Sequence, residues 1–149
     1  MANLACVIAN RGTYLEPHAI RDIGGRGKPE GEDDLHLTSV DEKHFEPVID
    51  AMQNAIEDPS GTARRAIVEG LTICGKTGTV QNKGDTDHSV FMAFAPRENP
   101  QIALSVYVEY SGHGGTWAAP IAGLIIEKYL TDTTKYEYRL NRILEFDVE

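Results

Sequence analysis

The chain has 149 residues, of which 41% are hydrophobic and 25% are charged, as is typical of one soluble globular domain. Its formal net charge of −9 argues against nucleic-acid and anionic-membrane partners, because these polyanions repel an acidic protein. No apolar run approaches the ~20 residues that span a bilayer, and the N-terminus lacks the basic and apolar segments of a signal peptide. We therefore expect a soluble chain that binds no nucleic acid.

The cysteines and histidines form no metal-ligand pattern. Cys6 and Cys74 are the only cysteines, and two thiols cannot complete a metal cage. They are expected to be buried apolar thiols, although the sequence leaves a disulfide between them and the redox compartment open. The five histidines show no ligand spacing, so we predict neither a metal site nor a cofactor.

The N-terminal part predicts a helix followed by a loop. Apolar residues at helical spacing end just before Gly12, which is typical of a helix with a glycine cap. Residues 21–34 are rich in glycine and in charge, and they predict an exposed loop. A phosphate site at Arg26 and Lys28 is disfavoured, because an acidic run follows them directly.

A capping box formed by Ser39 and Glu42 precedes apolar residues at helical spacing, and it predicts a helix over residues 41–57. Pro47 indicates an early kink or a second start in that helix, because proline disrupts a helix interior. Residues 62–66, which read "TARRA", predict one short helical turn.

Three strand-like segments come next, over residues 71–81, 89–95 and 102–110. The middle segment is an apolar run that suits a strand buried on both faces. The turns between the segments are too short for a parallel crossover, which needs about a dozen residues or more. The predicted fold class is therefore α+β, with a three-stranded antiparallel meander packed by helices.

The last part of the chain predicts a helix over residues 116–130 that packs on the meander. Thr116 is the predicted cap, and Trp117 is expected to pack in the core. The tail over residues 131–149 allows one more short helix around Leu140. The residues expected to be buried by this packing are Phe91, Phe94, Ile102, Leu104, Val106, Ile121, Leu124 and Ile125, with Tyr129 at the end of the helical stripe.

Two motifs overlap in one stretch of the sequence and imply different chemistry. Residues 70–77, "GLTICGKT", match the phosphate-binding loop of nucleotide-hydrolysing enzymes, whereas residues 76–79, "KTGT", contain the K-T-G element of penicillin-interacting enzymes. A phosphate loop needs a helix that starts at its lysine and threonine, so that the helix N-terminus faces the phosphates. The sequence after Thr77 is rich in glycine and β-branched residues, so it favours a strand and the K-T-G interpretation.

The surroundings of "KTGT" strengthen that interpretation. "GKTGTVQN" (75–82), "FMAFAPRENPQIALSVYVE" (91–109) and "GHGGTWAAPIA" (112–122) strongly resemble, in this order, the C-terminal part of a penicillin-binding transpeptidase domain. The HGG…AAP form is most similar to the penicillin-binding protein 2 branch of that family. The resemblance covers residues 1–130, leaves 131–149 as a separate tail, and implies a partial penicillin-binding/β-lactamase-like fold.

Five residues are expected at one active-site wall, and the resemblance implies roles for four of them. Lys76 would be catalytic, because its charge favours proton transfer when a serine is acylated. The hydroxyls of Thr77 and Thr79 would bind the terminal carboxylate of the substrate, and the Thr79 N–H would be an oxyanion donor. Gly78 would leave room for close packing. His113 is expected to contact substrate because of its own position, in the glycine-rich turn beside the proposed groove. Strict strand alternation nevertheless places Lys76 on the face opposite to both threonines.

The nucleophile that this chemistry needs is missing from the sequence. None of the five serines begins an S-x-x-K or an S-x-N motif, and the family carries both motifs upstream of K-T-G. We therefore expect a fragment of a peptidoglycan D,D-transpeptidase that is inactive alone. The alternatives are a related β-lactamase or D,D-carboxypeptidase, or a non-catalytic binding domain.

The resemblance also implies partners and a location for the intact parent. The partners are peptidoglycan stem peptides and β-lactams. The location is the bacterial inner membrane, where an anchor leaves the catalytic domain in the periplasm. In the family, a strand of the N-terminal half pairs with the strand that contains Val106. Residues 102–110 are therefore expected to form an exposed strand edge that favours homo-oligomers.

Overall fold

The computed structural model of the protein describes residues 1–17, 24–25 and 34–145. Arg26, Lys28 and most of the loop predicted over residues 21–34 lie outside the described residues. The helices and strands are α1 (Ala2–Ala9), β1 (Thr13–Tyr14), β2 (His36–Leu37), α2 (Phe45–Glu57), β3 (Cys74–Val80), β4 (His88–Ala95), β5 (Ile102–Val108), α3 (Ala118–Thr131) and α4 (Glu137–Leu144), with 3-10 turns at Glu42–His44 and Arg64–Ala66.

The predicted meander is confirmed. β4 lies between β3 and β5 and pairs antiparallel with both, so that Phe91 is opposite Thr77 on one side and Val106 on the other. β4 is buried along almost its whole length, as its apolar run predicted. Hydrophobic side chains on both faces find cover because helices pack on each side of the sheet.

Alternate residues of β4 belong to two separate apolar clusters. Phe91, Ala93 and Ala95 pack with α3 and the Arg64–Ala66 turn, whereas Met92 and Phe94 pack with α1 and α2. This division follows from the two-residue period of a strand. The β5 residues Ile102, Leu104 and Val106, which were expected in the core, are only partly buried, because β5 has no strand beyond it among the described residues.

The predicted buried stripe of α3 is wrong for two of its residues. Leu124 is buried, but Ile125 is 44% exposed and Tyr129 is 62% exposed, and Ile121 is partly buried. Small residues carry the packed face instead, because they let the helix approach its neighbours closely. A Cβ on Gly123, for example, would lie 2.7 Å from the Ala66 carbonyl oxygen. The buried residues of this face include Ala118, Ala119, Ala122, Gly123 and Ile126.

The predicted capping residues of α2 and α3 are also wrong. α2 begins at Phe45 after a 3-10 turn and has no side-chain cap. Pro47 lies in its first turn, where a missing N–H costs little. Of the two alternatives predicted for Pro47, the second helix start is therefore correct. α3 begins at Ala118 rather than after a Thr116 cap. The N–H of its first residue, Ala118, donates instead to Ser89 Oγ over 3.1 Å.

The tail folds back on the turn that precedes β3. α4 confirms the short helix predicted around Leu140. Arg139 Nη1 donates to the Ile67 carbonyl over 2.7 Å, and the Glu69 N–H donates to the Tyr136 hydroxyl over 3.0 Å. These contacts place α4 beside α3 and the Arg64–Ala66 turn.

Candidate active-site groove

The K-T-G residues line an open groove of about 610 Å³. β3 is an edge strand of the described meander and forms one wall of this groove. The other walls are the turn at residues 61–65 and the glycine-rich turn at residues 113–116. All five residues predicted for the site border it, namely Lys76, Thr77, Gly78, Thr79 and His113.

Lys76 reaches the groove despite its position in the strand. Strict alternation places its Cβ on the face opposite to Thr77 and Thr79. Its side-chain Nζ donates a 2.9 Å hydrogen bond to the Thr77 carbonyl. Lys76 and the two threonines all line the same groove. The four-carbon stem of lysine is long and flexible enough for its ammonium to reach this neighbouring carbonyl.

Thr62 is a groove residue that the sequence analysis missed. Its hydroxyl lies 3.0 Å from that of Thr77, so the two share a hydrogen bond. A single threonine in the "TARRA" turn carries no pattern that would single it out. Its position depends on the turn packing against β3, which only the folded chain reveals.

The glycine-rich turn closes onto β3 because its glycines have no side chains. A Cβ on Gly114 would collide with the backbone carbonyls of Val90 and Gly78, and one on Gly115 would collide with the Thr62 carbonyl. The sequence does not reveal these contacts. Glycine is not required in the same way at Gly78, because a Cβ there would lie 3.6 Å from the Val90 side chain, which is an ordinary contact.

Ser89 fixes the glycine-rich turn to the sheet and to α3. It is fully buried, and its hydroxyl donates to the His113 carbonyl over 3.1 Å while accepting the Ala118 N–H. The sequence signal for this residue was a hydroxyl inside an otherwise apolar strand, because a buried hydroxyl needs partners. Ser89 thus positions the backbone of His113 at the groove.

The groove is cationic although the chain is acidic. Arg64, Arg65 and Lys76 border it, and none of the described residues that line it is acidic. Arg65 Nη1 approaches the Thr116 carbonyl at 3.5 Å, across the groove wall. Cations beside threonine hydroxyls are a chemically suitable set for holding a carboxylate.

Lys76 and Thr77 lie inside β3, not at the start of a helix. The strand predicted for "GLTICGKT" is thus confirmed for its second half, and the geometry that a phosphate loop requires is not formed. Cys74 is fully buried at the start of β3, and burial raises the pKa of its thiol to about 12. Cys6 and Cys74 are both free thiols.

Among the described residues, no group of three or more histidine, cysteine, aspartate or glutamate side chains is placed to hold a metal ion. No helix among residues 1–17 and 34–145 has the length and apolar character needed to cross a membrane.

The fold and the groove define an α+β domain of the penicillin-binding class, with K-T-G on the edge strand. The family model described as "Penicillin binding protein transpeptidase domain" matches residues 1–127. The chain belongs to this family. The match ends close to the predicted boundary at residue 130 and leaves α4 outside.

Individual relatives agree with the family match. The chain is 31% identical to the peptidoglycan D,D-transpeptidase MrdA of Acinetobacter baumannii, over 93% of the chain and 23% of that protein. Penicillin-binding protein 2 of Pseudomonas aeruginosa, solved in complex with WCK 5153, is 33% identical, with a TM-score of 0.74 over 92% of the chain and 31% of that structure. The predicted similarity to penicillin-binding protein 2 is confirmed.

A more distant solved relative is penicillin-binding protein A of M. tuberculosis, in an acyl-enzyme complex with imipenem. It is 26% identical, with a TM-score of 0.69 over 87% of the chain and 31% of that structure. The chain spans about a quarter of the length of the curated relatives that it matches.

Proposed function

We propose that this chain supplies the K-T-G wall of a peptidoglycan D,D-transpeptidase active site. The reaction transfers the acyl group of a D-Ala-D-Ala stem peptide to a serine, with release of D-alanine, and then to an amine of a second stem peptide. The observation that carries this proposal is the convergence of Lys76, Thr77 and Thr79 on one cationic groove without a bordering carboxylate.

Each groove residue has a role in this proposal. Thr77 and Thr79 donate hydroxyl hydrogen bonds to the terminal carboxylate of the stem peptide or to that of a β-lactam. Lys76 adds a positive charge that favours removal of the serine proton. The Thr79 N–H donates to the oxyanion, where loss of one donor costs ~3 kcal/mol in the transition state. His113 contacts the substrate from the glycine-rich turn.

We propose that the intact enzyme obtains its nucleophile from an S-x-x-K helix, a motif that this sequence does not contain. Its partners are then stem peptides and β-lactams. Its anchor lies in the bacterial inner membrane, with the catalytic domain in the periplasm. The imipenem acyl-enzyme of the M. tuberculosis relative supports the β-lactam part of this proposal.

A chimera tests the proposed function. Residues 1–127 of this chain replace the aligned region of Acinetobacter baumannii MrdA, which supplies the serine. We expect the chimera to form a stable covalent band with a fluorescent penicillin on a denaturing gel, while the 149-residue chain alone forms none. A folded chimera that is not labelled would contradict the transpeptidase proposal. Labelling that decays within seconds would indicate a β-lactamase instead.

We also propose that the free edge of β5 supports a homo-oligomer. Among the described residues, β5 pairs only with β4, and α4 packs beside α3. Residues Ile102–Val108 contain no lysine or proline, so they lack the usual protection of an edge strand. Light scattering is expected to show a mass that rises with concentration. A concentration-independent monomer would contradict this proposal.

A further inference from the structure

A second, smaller pocket lies behind the groove. It has a volume of about 250 Å³ and lies between the Arg64–Ala66 turn, the start of α3, and α4. Four arginines and two aromatic rings dominate its lining: Arg64, Arg65, Arg139, Arg142, Trp117 and Tyr138. Three of these residues belong to α4, which the family match does not include.

Aromatic rings hold two of the arginines in fixed planes. The Arg142 guanidinium lies 4.6 Å from the centre of the Trp117 ring. The Arg139 guanidinium lies 4.1 Å from the centre of the Tyr136 ring and 5.7 Å from that of Tyr138. Arg139 already donates from Nε to the Tyr138 hydroxyl and from Nη1 to the Ile67 carbonyl. For Arg142, stacking on a ring face leaves the in-plane N–H groups available for a ligand. The stacking therefore reduces the side-chain entropy that is lost when the arginines bind an anion.

The arginines of this pocket have few acidic neighbours within the described structure. The ion pairs formed by the described residues include none of them, although the pKa of Asp58 is lowered by hydrogen bonds from Ser60 and, to a smaller extent, by the charge of Arg64. The hydrogen bonds of Arg64, Arg65 and Arg139 go to uncharged oxygens, such as the Thr116 and Ile67 carbonyls. A cluster of like charges in a chain of net charge −9 is stabilised when an anion enters it.

The pocket and the groove share a wall. Arg64 and Arg65 border both cavities, so a ligand that extends from the groove past these two side chains meets the second pocket. The apolar surface of Trp117 and Tyr138 suits a ligand that carries apolar atoms beside its charge.

We propose that this pocket binds a carboxylate of a peptide ligand, with guanidinium groups holding the carboxylate and Trp117 contacting neighbouring apolar atoms. The geometry favours a single planar anion, since a guanidinium fork matches a carboxylate in two parallel hydrogen bonds. A polyanion is disfavoured because the rest of the acidic chain repels it. The choice of a peptide rests on the proposed function, in which the adjoining groove binds a stem peptide.

Trp117 makes this proposal directly measurable. It is the only tryptophan of the chain and it lines the pocket, so tryptophan emission reports on changes in these surroundings. The probe is N-acetyl-phenylalanyl-glutamate, titrated into the full 149-residue chain, with its diamide and inorganic phosphate as comparisons. We expect a saturable change in emission with the dicarboxylate, weakened at higher salt concentration, and at least tenfold weaker binding of the diamide.

Two variants and one control test the arginines. Arg142→Gln and Arg65→Gln should each weaken dicarboxylate binding about tenfold or more, as for the loss of a charged hydrogen bond. Calorimetry supplements fluorescence for Arg142→Gln, because this change also alters the surroundings of Trp117. Lys43→Gln removes the same charge from an exposed site on another turn and should leave binding unchanged. Since Arg65 lies outside α4, its variant remains informative if Arg142→Gln loosens that helix.

Three results would overturn the proposal: no saturable response to the dicarboxylate, equal binding of the diamide, or phosphate binding as tight as that of the peptide. The titration requires no acyl transfer. A chimera that fails to react with penicillin would therefore refute the proposed function and leave the pocket result standing. An unresponsive Trp117 beside a reactive chimera would refute only the pocket.

Discussion

Replacing Lys76 by alanine in the MrdA chimera is expected to slow acylation by fluorescent penicillin about 10²–10⁴-fold, the range typical for loss of a group that assists proton transfer. The reason is local: Lys76 lines the groove, and its ammonium donates a hydrogen bond to the Thr77 carbonyl. Its removal takes away a positive charge at the site of acylation without leaving a cavity, because the side chain is exposed. The measurement is the second-order rate constant for labelling.

Two companion variants separate catalysis from folding. Lys83→Ala removes an exposed lysine from the turn after β3, and its labelling rate should match that of the unaltered chimera. Lys76→Ala should also keep the melting temperature of the parent chimera. An unchanged labelling rate in a folded Lys76→Ala chimera would exclude Lys76 from the chemistry and leave it as a solvated strand residue.

The strands could be predicted well because their signals are local. β4 contains an uninterrupted apolar run over residues 90–95, and both of its faces are buried. The short turns on either side left only antiparallel pairing. Lys76 and Thr77 could likewise be assigned to a strand, because the sequence after them contains no helix signal.

The walls of the groove could not be predicted, because they depend on contacts between distant segments. Thr62 meets Thr77 across 15 positions of sequence, and Ser89 joins His113 to the start of α3. Neither residue carries a motif. Their importance appears only when the glycine-rich turn is packed on the sheet, where Gly114 and Gly115 have no space for a side chain.

The orientation of α3 shows a limit of hydrophobic periodicity. Large apolar residues at helical spacing predicted the wrong face for Ile125, because hydrophobic periodicity reflects the size of apolar side chains and not how well they fit. Complementary surfaces pack closely, and a face of alanine and glycine lets a helix lie near a sheet and a turn. Ala122 and Gly123 accordingly take the buried positions, while Ile125 points toward solvent.

Two adjacent isoleucines in α3 provide a matched test of this packing. Ile126 is fully buried in the cluster with Phe91 and Ala122, whereas Ile125 is 44% exposed. Ile126→Ala should lower the free energy of unfolding by ~2–5 kcal/mol, since it leaves a cavity in the core. Ile125→Ala should lower it by no more than about 1 kcal/mol.

The comparison is controlled because both variants replace the same residue type inside one helix. Alanine raises intrinsic helix propensity equally at the two positions, so this effect cancels and the difference reports burial. In urea unfolding of the 149-residue chain, the Ile126→Ala midpoint should fall well below that of Ile125→Ala. Equal midpoints would contradict the orientation of α3 and would restore the face predicted from large apolar residues. A greater loss for Ile125→Ala would show that the alanine and glycine face is not the one packed on the sheet.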